Sequence, residues 1–284
     1  MFLFSSLNAR PAAEADRELV TAFSRTAAQV HAHLDWRPAE DWLGTQPFLL
    51  AERGRRTIGV LVCPPDPPDT AWVRLFALAG DESPQRVWKA VWPPARAALE
   101  AQRVKIVAGL SLDRWMEPLY AGSGFDQTHN VVVLTRRRGR PLGASRNPAR
   151  VRVARADDHS AIVAADLAAF TSPWQISSTV AQTAIAQAAY LTVAELEGEI
   201  VGYQLTTPNP DGAHLARLAV FPRWQGRGVG YALVADLVAH SEQNGAHAIS
   251  VNTQDTNAAS LAVYRRAGFE LSGPRFPVFQ LQIG

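Results

Sequence analysis

A repeat constrains this chain more than any other feature. Phe48–Glu52 followed by Thr57–Pro64 has a counterpart in Tyr190–Glu195 followed by Glu199–Pro208, with Gly59 opposite Gly202 at an offset of 143 residues. Val73–Leu78 matches Ala216–Phe221, with Arg74 opposite Arg217 at the same offset. Leu119, Tyr120 and Gly124-Phe125 match Val263, Tyr264 and Gly268-Phe269 at an offset of 144. A nearly constant offset across three separated stretches implies duplication of one α/β unit. The 284 residues are enough for two ordinary domains, and a composition 47% hydrophobic and 19% charged lets each bury a core. Between the copies, Arg136 to Arg150 is basic, contains Gly and Pro, and is poor in large apolar residues, so it reads as a solvated linker. The boundaries expected are 1–138, a linker at 139–150, and 151–284.

Composition narrows the function classes. The net charge is +2, with 18 basic and 15 acidic residues before position 142 and 10 and 11 after it. Neither half has the one-sided charge of a nucleic-acid binder. Cys63 is the lone cysteine, so no intrachain disulfide and no Cys-based zinc site can form, and no metal is expected. No apolar run approaches the roughly 20 residues that cross a bilayer. Met1–Arg10 lacks the basic start and long apolar stretch of a signal peptide. The expectation is a cytoplasmic protein without nucleic-acid or membrane partners.

In the second half, Val151–Arg155 reads as a strand and Asp157-Asp158 opens a helical stretch to Phe170. A further helical pattern precedes Tyr190, and a hairpin turns at Glu197-Gly198. Ala213–Phe221 is a strand, followed by a helix from about Arg227 to Asn244, where Asn244-Gly245 is a stop signal. Ala248–Asn252 is a strand, Asn257–Ala267 a helix with Asn257 as N-cap, and Phe276–Ile283 a final strand. The stretch that carries chemistry is Gln225-Gly226-Arg227-Gly228-Val229-Gly230, between strand and helix. Its glycines allow a tight turn and close approach of a ligand. The first amides of the helix are unpaired and lie at the positive end of its dipole, which suits a phosphate or diphosphate. No Gly-Lys-Ser/Thr follows, and Tyr231 replaces the last glycine of a dinucleotide fingerprint.

Gln225–Gly230 resembles the Q/R-x-x-G-x-G/A acetyl-CoA loop of the GNAT superfamily of N-acetyltransferases. About 30 residues on, Asn257-x-x-Ser260-x-x-x-Tyr264-x-x-x-Gly268-Phe269 resembles that family's second motif, with Ser260 where Ala is usual. The resemblance covers about residues 150–284. It implies two tandem GNAT-like α/β domains, each a mixed, mostly antiparallel sheet flanked by helices. It also implies transfer of an acetyl group from acetyl-CoA directly to a primary amine, on a small molecule or a peptide. By this resemblance the backbone of Leu218, Ala219 and Val220 pairs with pantetheine. The amides of Gln225, Gly226, Arg227, Gly228, Val229 and Gly230 grip the diphosphate, while Asn257, Ser260 and Tyr264 line the donor. Asn257 and Tyr264, seven apart on one helix, share a face about 10 Å in length. Tyr264 is a candidate proton donor to the leaving thiolate, or a core aromatic with a satisfied hydroxyl. Asn257 can be a plain cap as well. His214 and Glu195 are candidate general bases, with surface strand positions as the alternative. Arg217 either binds an acidic group of the substrate or pairs with a carboxylate, and Trp174 either lines the acceptor pocket or packs.

The first half departs from this pattern. Ala79-Gly80-Asp81-Glu82-Ser83-Pro84 replaces the glycine loop, with two carboxylates where a diphosphate would sit, and Pro93-Pro94 is expected to break the following helix. A degenerate domain that does not bind acetyl-CoA is expected, completing the substrate cleft or replacing the second subunit of a dimer. The chain is then a monomer with pseudo-dimeric domains, or a homodimer. His31-x-His33-x-Asp35 could be taken for metal ligands, but it falls in or near a helical pattern, where residues two apart diverge. A catalytically silent acyl-CoA sensor is the alternative to the enzyme.

Overall fold

The computed structural model describes residues 7–143 and 149–284. The expected reading of Met1–Ser6 and the centre of the expected linker, residues 144–148, lie outside the described residues. In chain order the elements are β1 (Leu7–Pro11), α1 (Arg17–Thr26), β2 (Gln29–Ala32), β3 (Phe48–Arg53), β4 (Arg56–Val62), β5 (Thr70–Trp72) and β6 (Leu75–Leu78). There follow α2 (Pro84–Ala101), β7 (Ile106–Leu110), α3 (Glu117–Ala121), β8 (Asp126–Arg137), β9 (Arg150–Val153), α4 (His159–Ala169) and α5 (Ser178–Ala186). The remainder are β10 (Tyr190–Leu196), β11 (Glu199–Asn209), β12 (Gly212–Val220), α6 (Val229–Gln243), β13 (Ala248–Gln254), α7 (Ala258–Arg266) and β14 (Glu270–Gln282).

Two compact units result: Met1–Thr128 with Pro277–Gly284, and His129–Phe276. These limits differ from 1–138 and 151–284. The reason is strand pairing: Val278–Gln282 lie antiparallel to β7, while Val131–Arg137 of β8 pair with β13. Arg136, expected in a solvated linker, is 1% exposed, with guanidinium bonds to the carbonyls of Arg137 and Arg140 and a 3.2 Å pair to Glu242.

In the first unit a five-stranded sheet runs β1-β3-β4-β6-β2, and β5 pairs with β7 in parallel. Helix α2 covers it with Val87, Trp88, Val91, Trp92, Ala95 and Leu99, packed against Ile58, Leu61, Phe76 and Leu78. Ser83 caps this helix, accepting from the Arg86 N–H, and Pro84 sits in its first turn. The helix is continuous through Pro93-Pro94, contrary to expectation. Both prolines are exposed, as is Lys89, whose carbonyl loses its partner four residues on; water can meet that carbonyl while the buried face holds the helix.

In the second unit the order β9-β10-β11-β12-β13-β8 is antiparallel except for β12 and β13. Glu197 (φ 53°) and Gly198 (φ 82°) form the tight hairpin between β10 and β11. Leu215, Ile249 and Val251 on one sheet face meet Val234 and Leu237 of α6 and Leu261 of α7. Side chains alternate along a strand, but a bulge that leaves Ala216 unpaired shifts the alternation in β12, so Arg217 points away from Leu215 to the face that α4 takes, where it binds Asp166. Each fully buried leucine contributes about 1.5–3 kcal/mol.

Candidate active site

The site begins where β12 and β13 stop pairing. Their parallel register runs from Gly212↔Ala248 to Leu215↔Val251 and ends there. Beyond it β12 follows β11 as far as Val220, and β13 follows β8 as far as Gln254, so a wedge opens between them. The break coincides with a bulge, for Leu205 faces Arg217 and Thr206 faces Leu215, leaving Ala216 over. The Phe221 N–H donates to Val201 O at 3.0 Å. In an antiparallel ladder such groups alternate, so the main chains of Ala219 and Arg217 also face β11, and those of Leu218 and Val220 face the wedge.

The glycine loop closes the wide end of the wedge. Gly226 (φ 72°) and Gly228 (φ 84°) are left-handed, and Gly228 is the N-cap of α6. A side chain in that conformation costs roughly 1–2 kcal/mol. The first bond of the helix runs from Ala232 N–H to Gly228 O (3.0 Å), so the amides of Val229, Gly230 and Tyr231 have no intrahelical acceptor. A Cβ at Gly230 would stand 3.9 Å from Leu218 and from Val220 and 4.0 Å from Val263, which brings β12, α6 and α7 together here. Gln225 Nε2 donates to Val220 O at 3.0 Å, anchoring the loop. Arg227 is exposed over the Trp224 ring at 4.8 Å. Arg223 is taken by Glu199 at 2.7 Å.

Helix α7 starts at the end of β13. Asn257 caps it, accepting from the Ser260 N–H at 3.1 Å and donating to Gln254 Oε1 at 3.3 Å. Tyr264 is 4% exposed, packed on Phe269 at 5.8 Å, and its hydroxyl meets that of Ser260. Burial pushes that hydroxyl well above its usual range, so it holds its proton at working pH.

The two candidate bases lie elsewhere. Glu195 is turned away from β12, toward β9, where Arg152 Nε donates to it at 2.8 Å and also grips Asp158. His214 lies at the closed end, its Nδ1 2.8 Å from Ser250 Oγ, and burial lowers its pKa. Arg217 makes two bonds to Asp166, at 2.6 and 2.7 Å, and Tyr203 donates to the same carboxylate. Phe170 lies under the guanidinium at 3.8 Å. Arg217 also donates to the Trp174 carbonyl at 3.3 Å, and the Trp174 ring is 5.7 Å from that of His129 on β8. The loop between α4 and α5 thus reaches from β12 to β8 across the face opposite α6. Asp166, Tyr203 and His129 carry no motif, and no sequence signal marked them.

The first unit has the same wedge, filled. Its parallel pairing ends at Trp72↔Ala108, and β6 continues along β4. On the open side of β6 lies β2, paired from Gln29↔Leu78 to Ala32↔Leu75. His31 is fully buried there, with Nε2 3.2 Å from Val73 O and 3.4 Å from the hydroxyl of Tyr120, the repeat counterpart of Tyr264. The helical expectation for His31-x-His33-x-Asp35 is therefore corrected. The chain is extended, and its groups go to separate partners: His33 stacks on Trp72 at 4.6 Å and Asp35 pairs with Arg74. Among the described residues no three His, Cys, Asp or Glu side chains converge as a metal site. Glu82 is buried against Arg53 at 2.8 Å.

Known proteins bear on this geometry. Residues 160–269 match the acetyltransferase (GNAT) family. Mycothiol acetyltransferase of Paenarthrobacter aurescens is 33% identical over 86 residues, 28% of this chain and 27% of that protein. The [ribosomal protein bS18]-alanine N-acetyltransferase of Escherichia coli is 32% identical over 72 residues, 25% of this chain and 49% of that protein. The chain thus spans less than half the length of these two curated relatives. A tandem GNAT protein from the clavulanic acid biosynthesis pathway superposes with a TM-score of 0.61 at 16% identity, covering 98% of this chain and 99% of that one. This last likeness shows the fold. No helix among the described residues is long and apolar enough to cross a membrane.

Proposed function

Residues 160–269 belong to the acetyltransferase (GNAT) family, and from that premise we propose that the chain moves an acetyl group from acetyl-CoA directly to a primary amine, with the chemistry in the second unit. The observation that carries this reading is the parting of β12 and β13 with a left-handed glycine turn at the mouth. The fit is chemical. Outward main-chain groups at Leu218 and the Val220 N–H suit an amide-bearing chain, and the N–H groups of residues 226–230, with Arg227, suit a diphosphate; the Gln225 N–H, expected among them, instead donates to Pro222 O at 3.2 Å. Asn257 and Ser260 flank the same path, and the Tyr264 hydroxyl supplies the proton that the departing thiolate takes up. Acetyl-CoA brings the activated thioester. A strand N–H facing the wedge polarises its carbonyl.

No covalent acyl-enzyme forms through Cys63, which is buried in the first unit with its thiol pushed up to about 12 by desolvation. The first unit takes no donor, because β2 occupies the edge that the donor would need. The amine enters from the face that carries α4, beside Trp174.

The test is thiol release from acetyl-CoA with a panel of an alanyl peptide, a diamino acid and an amino sugar. At least one amine is expected to be acetylated. Tyr264→Phe is expected to lower kcat tenfold or more while calorimetry gives an unchanged acetyl-CoA Kd. Tight binding of acetyl-CoA with no acetylated amine would replace this reading with that of a silent acyl-CoA sensor.

A further inference from the structure

On the reading above, the amine must lose a proton, and neither His214 nor Glu195 is at the open part of the wedge. Side-chain alternation identifies what is there. Leu218 and Val220 pack on Val229 and Leu233 of α6, and Val251 packs on α6 and α7. Arg217 on β12, Asn252 and Gln254 on β13, and His129 on β8 therefore share the opposite face. Val132 and Leu134 of β8 lie in the α6 cluster, which fixes the odd-numbered positions, His129 among them, on the α4 side. The loop that bears Trp174 touches both ends of this row, through the Arg217–Trp174 carbonyl bond at 3.3 Å and the His129–Trp174 ring contact at 5.7 Å.

The charged groups of this face are already committed. Asp166 is held by Arg217 and Tyr203. Asp255, at the turn after β13, accepts from the Asn130 N–H at 3.0 Å and from Asn130 Nδ2 at 2.8 Å, with Arg275 3.8 Å away. Those hydrogen bonds depress its pKa, so it is a weak base. His129 is half-buried and, by desolvation with Asp255 opposing, titrates below the ordinary histidine range. It is neutral near pH 7, the form a base needs.

We propose that His129 is the catalytic base of the second unit. As the amine nitrogen bonds to the thioester carbon, the C–S bond breaks. The proton leaving nitrogen passes to the imidazole, directly or through one water, and the thiolate is protonated from Tyr264. His129 later returns its proton to solvent, and the Tyr264 phenolate takes one back from solvent, which closes the cycle.

His129→Gln tests this, with His129→Asn as a second variant should the first fold poorly. The assay uses acetyl-CoA and the best amine of the panel. The expected result is a kcat at least tenfold lower, an unchanged acetyl-CoA Kd, and loss of the acid limb of kcat/KM that the unaltered protein shows below about pH 6.5. Independently of turnover, the 13C-labelled imidazole of His129 in the resting protein is expected to titrate with a midpoint below about 6.5. Retention of both rate and acid limb in either folded variant, or a midpoint at or above about 6.5, overturns the assignment. Failure of the unaltered protein to acetylate any amine would instead overturn the acetyltransferase reading.

Discussion

Acid should unfold the first unit, and His31 sets much of the cost. Its ring is wholly buried on β2 against Val73 and Tyr120, and desolvation lowers its pKa from 6.5 to about 4. The unfolded chain therefore binds a proton before the folded one does. The stability linked to His31 is whole above about pH 6.5, declines as pH falls, and is fully lost below about pH 4. At 1.36 kcal/mol per pH unit, the full loss is about 3.4 kcal/mol, and about 2.5 kcal/mol is gone by about pH 4.5. Urea unfolding followed by tryptophan fluorescence reads this unit, which holds Trp36, Trp42, Trp72, Trp88, Trp92 and Trp115. His31→Gln keeps a donor for the Val73 carbonyl and removes the titration. The stability gap between the unaltered protein and this variant should shrink by about 2.5 kcal/mol between pH 7 and about pH 4.5. His33, lowered to about 3 by its burial, acts in both proteins and cancels. A gap that stays constant over this range would refute the argument.

Three further outcomes follow from the second unit and its counterpart. Gly228→Ala should weaken acetyl-CoA binding at least tenfold by calorimetry, because φ 84° strains any side chain at the loop that presents the amides. Arg217→Met should cost about 3–5 kcal/mol in urea, by leaving Asp166 buried and unpaired, and adding Asp166→Leu should recover most of it. Calorimetry should find one acetyl-CoA per chain, since β2 fills the matching edge of the first unit.

What could be read in advance was what local chemistry fixes. The glycine turn, the Asn257 cap, the hairpin at Glu197-Gly198 and the strand–helix order all express short-range backbone preferences, and they stand where expected. Pro93-Pro94 was misleading because a local rule met a well-packed helix face with both prolines on its solvent side. The filling of the first wedge by Gln29–Ala32 was invisible, since it depends on a pairing with residues more than 40 positions away. His129 was hidden for the same reason. Its neighbour Trp174 is remote in sequence, and only the order β12-β13-β8 puts the two side chains on one face.

The residues Val278–Gln282 complete the strand beside Ile106–Leu110, yet they are encoded after the whole of 129–276. During synthesis the first unit must wait, its β7 edge bare, until the ribosome has delivered the second. Phe279 and Leu281, buried in its core, arrive last. A nascent chain is thus exposed at one sheet edge for the time taken to translate about 150 residues, some 8–30 s at roughly 5–20 residues per second. Separating the halves by cutting at residues 139–150 would leave each without a strand it needs.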